Sequence, residues 1–281
     1  MTEQTASSLT NEIDPLVAAE LMTLQVAAVI FIVAALISML FWIMRSRPMG
    51  IGSYILGLAG AISLTATLVI RTIHTGHVPY VQLYETFIFS AWACAIVAVF
   101  ADPWMKSRLP STIANILSAV LLLYVWQFYD GPTEGQRLRA VLQSPWLDIH
   151  IATAFLGYAA FAISAGAGIV YFFTKNPKVD DLSYRMVAFG FPLLGLCIIM
   201  GAVWANEAWG RYWGWDPKET ASLVTWLIYA GYLHARLAFG WKGTRASILN
   251  LVGFGCVIFT WIGLNIVAKM IELETLHAYT G

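Results

Sequence analysis

Trp204-Ala-Asn-Glu-Ala-Trp209-Gly-Arg-Tyr-Trp213-Gly-Trp215-Asp216-Pro-Lys-Glu-Thr220 lies between two long apolar runs, 186–204 and 220–238. Tryptophan and tyrosine collect where membrane spans meet water, so the stretch reads first as an interfacial segment between two spans. A belt needs only scattered rings, however. Six of the 12 tryptophans fall between Trp204 and Trp241, which makes this segment more than a belt. Trp209 and Trp213 are four apart, and in a helical turn their indoles would share one face as a flat aromatic platform. Asp216 reads as a helix N-cap, Pro217 as the first helical residue and Glu219 as the closing member of a capping box.

Outward from this stretch the chain is apolar almost throughout. It is 59% hydrophobic and 11% charged, with a mean hydropathy of +0.71, which no soluble domain of 281 residues shows. Apolar runs fall at about 22–44, 51–70, 86–101, 111–128, 151–173, 186–204, 220–238 and 247–268. Each approaches the roughly 20 residues that cross a hydrocarbon core as a helix. The expected fold is all-α: a polytopic transmembrane helical bundle of about eight spans, with residues 1–21 as a polar outer leader and 22–281 as one membrane domain. Residues 1–20 hold no Lys or Arg, so they lack the basic start of a signal peptide. A formal net charge of zero argues against nucleic acid as a partner. Cys94, Cys197 and Cys256 sit inside apolar runs without C-x-x-C spacing and read as small hydrophobes.

The loops after runs one, three, five and seven carry 10 of the 16 Lys and Arg residues, and the termini and other loops carry six. The positive-inside rule then puts both termini and the tryptophan stretch on the outer face. His74, His77, His150 and His277 share that side, while His234 alone lies within a run. At about 1.5 Å per residue from Thr220, His234 sits some 20 Å into a core of about 30 Å. An imidazole at that depth faces protein or a cavity, either hydrogen-bonded across helices or serving as an axial ligand for haem iron. His150 and His277 flank the tryptophan stretch in sequence.

The spacing W-G-x-x-W-x-W-D resembles the signature of the "WWD" haem-handling family. Trp-Asp-Pro-Lys-Glu-Thr running into Trp226-Leu-Ile-Tyr-Ala-Gly-Tyr-Leu-His234-Ala-Arg resembles its CcsA/ResC branch, which serves System II cytochrome c maturation. Gly76-His77-Val-Pro79-Tyr-Val-Gln82-Leu-Tyr84-Glu85 is similar to the family's G-H-x-P-x-x-N-x-Y-E segment, with Gln82 where asparagine is more usual.

The resemblance implies a haem lyase, or cytochrome c synthase, that works with a CcsB/ResB-like membrane partner. The pair would join haem b to the thiols of an apocytochrome c C-x-x-C-H motif at the outer face of a bacterial cytoplasmic or thylakoid-type membrane. It implies His150 and His277 as ligands of the exported iron, and His234 as part of an inner haem site shared with the partner. Trp204, Trp209, Trp213 and Trp215 would contact the porphyrin, Gly210 and Gly214 would let backbone approach it, and Asp216 would belong to the same haem-binding set while capping the next helix. Arg211, Lys218, Arg137 or Arg139 would meet the propionates. Two alternatives remain open at this point: a haem exporter or chaperone without ligation activity, and a b-type electron-transfer cytochrome.

Overall fold

The computed structural model describes residues 14–128 and 140–270. Eight long helical rods account for nearly all of them, and the described residues contain no strand. The rods are α1 (Pro15–Met44), α2 (Arg47–Thr75), α3 (Leu83–Met105), α4 (Leu109–Phe128), α5 (Pro145–Thr174), α6 (Pro177–Trp209), α7 (Pro217–Ala238) and α8 (Thr244–Ile258). A single π-helical turn, Phe259–Gly263, joins α8 to α9 (Leu264–Met270), so that the last rod is continuous. A short 3-10 turn, Ala140–Leu142, precedes α5.

Seven of these rods are long and apolar enough to cross a membrane, and the protein is an integral multi-pass membrane protein. α7 is the rod that falls outside those seven. Its buried face is Thr225, Tyr229, Tyr232 and Ala235, three of which carry hydroxyls.

Several helices begin well before their apolar runs. α1 starts at Pro15, seven residues ahead of the expected 22, because Asp14 accepts a hydrogen bond from Leu16 N at 2.8 Å and Pro15 takes the first helical position. Residues 15–21 are therefore helical, and Glu20 among them is buried. α5 starts at Pro145 after Ser144, so the segment Pro145–His150 is helix rather than loop. α6 starts at Pro177 behind the N-cap Asn176.

The bundle closes by two kinds of contact. α5 and α6 approach until backbones meet: a Cβ on Gly190 would lie 3.1 Å from the Gly157 carbonyl oxygen. Small residues at such crossings are how membrane helices gain dispersion contact without a hydrophobic drive between them. α1, α2 and α3 meet at a buried charge cluster. There Arg71 Nε donates to Glu85 Oε1 at 3.0 Å, and Glu20 Oε2 lies 3.6 Å from Arg71 Nη1. Asn115 ties α4 to α1 and α2 through Ser38 Oγ and the Ser53 carbonyl.

Candidate functional site: a tryptophan-walled cavity at one end of the bundle

The stretch Trp204–Thr220 is not one aromatic helix face. α6 ends at Trp209 because Gly210 takes the left-handed conformation, φ 71°, and its N–H donates to the Asn206 carbonyl. Trp213 thus lies in the following loop, and the shared helical face expected of Trp209 and Trp213 does not form. The rings meet edge-on instead: Trp204 with Trp209 at 4.7 Å and 66°, and Trp213 with Trp215 at 5.7 Å and 89°.

The loop's shape is fixed from α7. Asp216 caps the helix, accepting from Lys218 N at 2.9 Å, and Glu219 closes the capping box as the sequence predicts. Glu219 Oε2 accepts from Gly214 N at 2.8 Å and from Asp216 N at 3.1 Å, which pulls both sides of Trp215 towards the helix. Trp215 is left with φ 57°, an uncommon conformation for a bulky residue, and is 69% exposed.

Under the loop lies a cavity of about 420 Å³, within the size range of sites that take small molecules and cofactors. Its walls come from α5 (His150, Phe155, Tyr158), α6 (Cys197, Gly201, Trp204, Trp209), the loop (Tyr212, Trp213), the first turns of α7 (Lys218, Glu219, Ser222) and the π turn (Thr260, Trp261). Tyr80 and Leu142 close it from the two neighbouring loops. Trp204 is 2% exposed and anchors one wall, with Nε1 donating to the Val141 carbonyl at 2.9 Å.

His150 is the cavity's imidazole. Its Nδ1 lies 2.8 Å from the Cys197 carbonyl oxygen, and since a carbonyl only accepts, Nδ1 carries the proton. In the neutral ring the lone pair is then on Nε2. A metal-ligating histidine is commonly oriented in this way by a backbone carbonyl on its other nitrogen. Trp204 stacks near the ring at 6.5 Å and 22°. Gly201 makes room for it, because a Cβ there would sit 2.6 Å from Nδ1.

Cys197, Gly201, Tyr80 and Trp261 are site residues that sequence reasoning missed. Cys197 meets His150 Nδ1 with both its carbonyl oxygen, at 2.8 Å, and its Sγ, at 3.4 Å, a contact that no local sequence pattern announces. Gly201 carried a usable signal, since a glycine inside a helix marks a close approach. Tyr80 donates to Asp148 Oδ1 at 2.9 Å, and burial with this bond raises its phenol above the usual range. Trp261 enters the wall through the π turn, a local widening that recurs at functional sites.

The remaining expectations sort as follows. Trp209, Trp213 and Lys218 line the cavity, whereas Trp215 is exposed and is not part of the lining. Gly210 makes the left-handed turn that ends α6, and the space beside Gly214 is filled by the Arg211 guanidinium, 2.9 Å from where a Cβ would be. Arg211 itself is exposed. Burial pushes the Lys218 ammonium down to about 8, with Asp216 acting in the opposite direction. His277, Arg137 and Arg139 lie outside the described residues. His234 is not among the residues that line the cavity. It lies on the exposed face of α7 with Val224, Leu227 and Gly231, edge-on to Phe239 at 5.3 Å.

The upstream motif is also a capping box. Gln82 is the N-cap of α3, and Glu85 Oε2 accepts from Val81 N at 2.9 Å and Gln82 N at 3.0 Å. The amide at position 82 is there to cap a helix, and His77 Nδ1 binds the adjacent Val78 carbonyl.

Residues 80–272 match the family model described as cytochrome C assembly protein. The chain is 36% identical over 233 residues to a cytochrome c biogenesis protein CcsA of Chlamydomonas reinhardtii, covering 77% of this chain and 65% of that one. A CcsA of Synechococcus sp. (strain JA-3-3Ab) is 33% identical over 297 residues, covering 80% and 85%. Among solved structures, a cytochrome c heme lyase CcmF superposes with a TM-score of 0.65 at 14% identity, covering 94% of this chain and 52% of that one, which shows a shared fold. The chain therefore belongs to the cytochrome c assembly protein family, in its CcsA-type branch, and its role lies in cytochrome c biogenesis.

Proposed function

We propose that the cavity holds haem b as a substrate at the outer face of the membrane, and that the protein joins it covalently to apocytochrome c as one half of a System II synthase. The observation that carries this reading is His150, which is held by the Cys197 carbonyl at Nδ1 and lines a cavity walled by Trp204, Trp209 and Trp213. Such a site suits a flat apolar ring with a metal at its centre. Lys218 is the cation in the lining best suited to a propionate. His277 supplies the second axial ligand from the C-terminal tail.

The covalent step is an addition. Each thiol of the C-x-x-C-H motif adds across a vinyl group, sulfur bonding to the carbon next to the ring and the proton ending on the terminal carbon, with no net oxidation. The chain's contribution is positioning: the aromatic walls fix the ring plane, and the histidines fix the iron so that the vinyls face incoming thiols. One of the two outer histidines gives way to the histidine of C-x-x-C-H.

His234 belongs to a second, inner haem site completed by a CcsB/ResB-like partner. Its place on an exposed stripe of α7, beside Gly231 where a Cβ would meet nothing within 4 Å, suits a partner helix packing closely against it. The membrane is the bacterial cytoplasmic membrane or a thylakoid-type membrane, with both termini outside.

The test is the absorption spectrum of detergent-purified protein, expressed with and without the partner, for wild type, His150→Ala, His277→Ala and His234→Ala. A low-spin bis-histidine spectrum disturbed by either outer substitution, with loading reduced by His234→Ala, supports the reading. Unchanged spectra in both outer variants overturn it. Thioether formation on a C-x-x-C-H reporter then separates a synthase from an exporter that only presents haem.

A further inference from the structure

α7 carries hydroxyls at three of its four buried positions, and α8 buries Ser247 and Asn250. Thr225, Tyr229 and Tyr232 succeed one another along α7, leading to Arg236. Ser247, Asn250 and Gly253 form a buried stripe of α8, with Gly253 against the Tyr229 ring of α7 and Ser247 and Asn250 near Gly168 of α5, and the π turn extends the stripe to Thr260.

From the end remote from the cavity, the groups connect as follows. Asp180 receives Arg236 Nη1 at 2.7 Å and Gly243 N at 2.9 Å. Tyr232 lies on the same buried face of α7, one turn before Arg236. Ser183 and Ser164 lie 3.0 Å apart at their hydroxyls, and Asn250 Nδ2 donates to both, at 3.1 and 2.9 Å. Nearest the cavity, Thr225 Oγ1 lies 3.3 Å from Thr260 Oγ1, and Thr260 is in the cavity wall. Eleven residues separate Thr225 from Arg236, a rise of about 16 Å.

A polar seam of this kind has a structural use, since interhelical hydrogen bonds hold membrane helices together. That use requires the groups to satisfy one another, and here they do not. Asn250 Oδ1, Ser247 Oγ and the Tyr229 hydroxyl are each buried without a hydrogen-bond partner among the described residues. Tyr229 and Asn250 are 0% exposed and Ser247 is 2%. Leaving a buried hydroxyl or amide unpaired is costly, and polar interior groups of this kind are ordinarily satisfied by internal water.

We propose that the α7–α8 seam holds a file of water molecules and conducts protons between the Asp180–Arg236 end and the floor of the cavity. Each hydroxyl and water accepts a proton on a lone pair and releases another from its O–H, so a proton enters at one end and leaves at the other with no electron moved. The titratable groups facing the seam are Asp180, Arg236, Tyr184, Tyr229, Tyr232 and Cys256. The Asp180–Arg236 pair guards one mouth, and Lys218 and Glu219 face the cavity at the other. The path goes beyond the haem reading and holds whatever the cavity binds. Where a charge changes in that apolar cavity, a proton delivered through the seam offsets it.

The test uses the whole protein in phospholipid vesicles containing trapped pyranine, with valinomycin and potassium present to remove the membrane potential. After an external pH step, wild type is expected to equilibrate the lumen severalfold faster than protein-free vesicles. Tyr229→Phe, which removes one oxygen, and Asn250→Leu are expected to bring the rate back to the protein-free level. Asn115→Leu, a comparable change in the polar contact between α4 and the α1–α2 pair, is expected to leave it at the wild-type value. Wild type no faster than empty vesicles overturns the proposal, as does a Tyr229→Phe variant that conducts normally. Hydroxyl-radical footprinting of the unaltered protein is the second arm. Labelling of Tyr229 despite its burial supports water in the seam, and a Tyr229 as protected as its stacking partner Phe161 overturns it.

Discussion

Glu85 and Glu219 hold the same local position and do different work. Each is the third residue of a helix, and each takes two backbone N–H groups on its Oε2: Val81 and Gln82 for Glu85, Gly214 and Asp216 for Glu219. Their surroundings then diverge. The second oxygen of Glu85 holds Arg71 in a cluster only 2 to 3% exposed, where α1, α2 and α3 meet. Glu219 stands beside the cavity, and its two bonds shape the loop that carries Trp213. A capping box is a local solution to orphan helix N–H groups. Whether it also supports the bundle or a site depends on what the fold brings to the carboxylate's other side.

The largest effect is expected at the buried box. Glu85→Gln keeps size and an acceptor oxygen but removes the charge that pairs Arg71, leaving Glu20 as its carboxylate at 3.6 Å. Removing one partner of a buried ion pair costs about 3 to 5 kcal/mol. Unfolding in mixed micelles should show a loss of that order. A loss below about 1 kcal/mol would mean that Glu20 moves in and replaces Glu85, and the cluster would then be adaptable rather than fixed.

Glu219→Gln is expected to act on the site instead. Two charge-assisted bonds become neutral ones, a weakening of about 2 kcal/mol in total, or roughly 30-fold in the population of the ordered loop. Haem titration of the purified protein should show affinity falling by about that factor while the unfolding transition stays close to wild type. Equal losses in stability and affinity would erase the distinction between the two boxes.

These differences also mark how far the sequence could be read. All eight apolar runs are helices, because hydropathy reports directly on burial in lipid and bundle. The starts were late at α1, α5 and α6, since Asp14, Ser144 and Asn176 begin helices in polar sequence where a hydropathy window sees nothing. The Asp216–Glu219 box was legible for the opposite reason: its contacts span three residues. His150 was legible as an outer-side imidazole flanking the tryptophan stretch. The Cys197 carbonyl that orients it and the glycine that admits it lie 47 and 51 positions away, and only the α5–α6 crossing brings them together. The flat tryptophan platform failed at one residue, Gly210, whose left-handed turn ends α6 between the two indoles meant to share a face.

The smallest expected effect refines the comparison through pH. Lys218, one residue before Glu219 and outside the apolar run 220–238, is pushed by burial down to about 8 from its ordinary 10.5. A lowered pKa for a base means that the folded protein without ligand disfavours the cation. The cost to stability is present in full below about pH 8, and it fades as pH rises towards 10.5, where the unfolded chain also loses the proton. If Lys218 meets a haem propionate, binding has the opposite slope, because the cation is the form that pairs with a carboxylate. Haem affinity should hold below about pH 7 and fall by a few-fold as pH rises through about 8, in keeping with the roughly 1 kcal/mol of a partly solvated pair. Lys218→Met should flatten the profile and lower affinity at neutral pH, with no comparable change from Arg211→Met, whose guanidinium packs on Gly214 outside the cavity. A pH profile unchanged in Lys218→Met would move the propionates to another cation, and Glu219 would then shape the loop without any contribution from its neighbour to the charge of the bound ring.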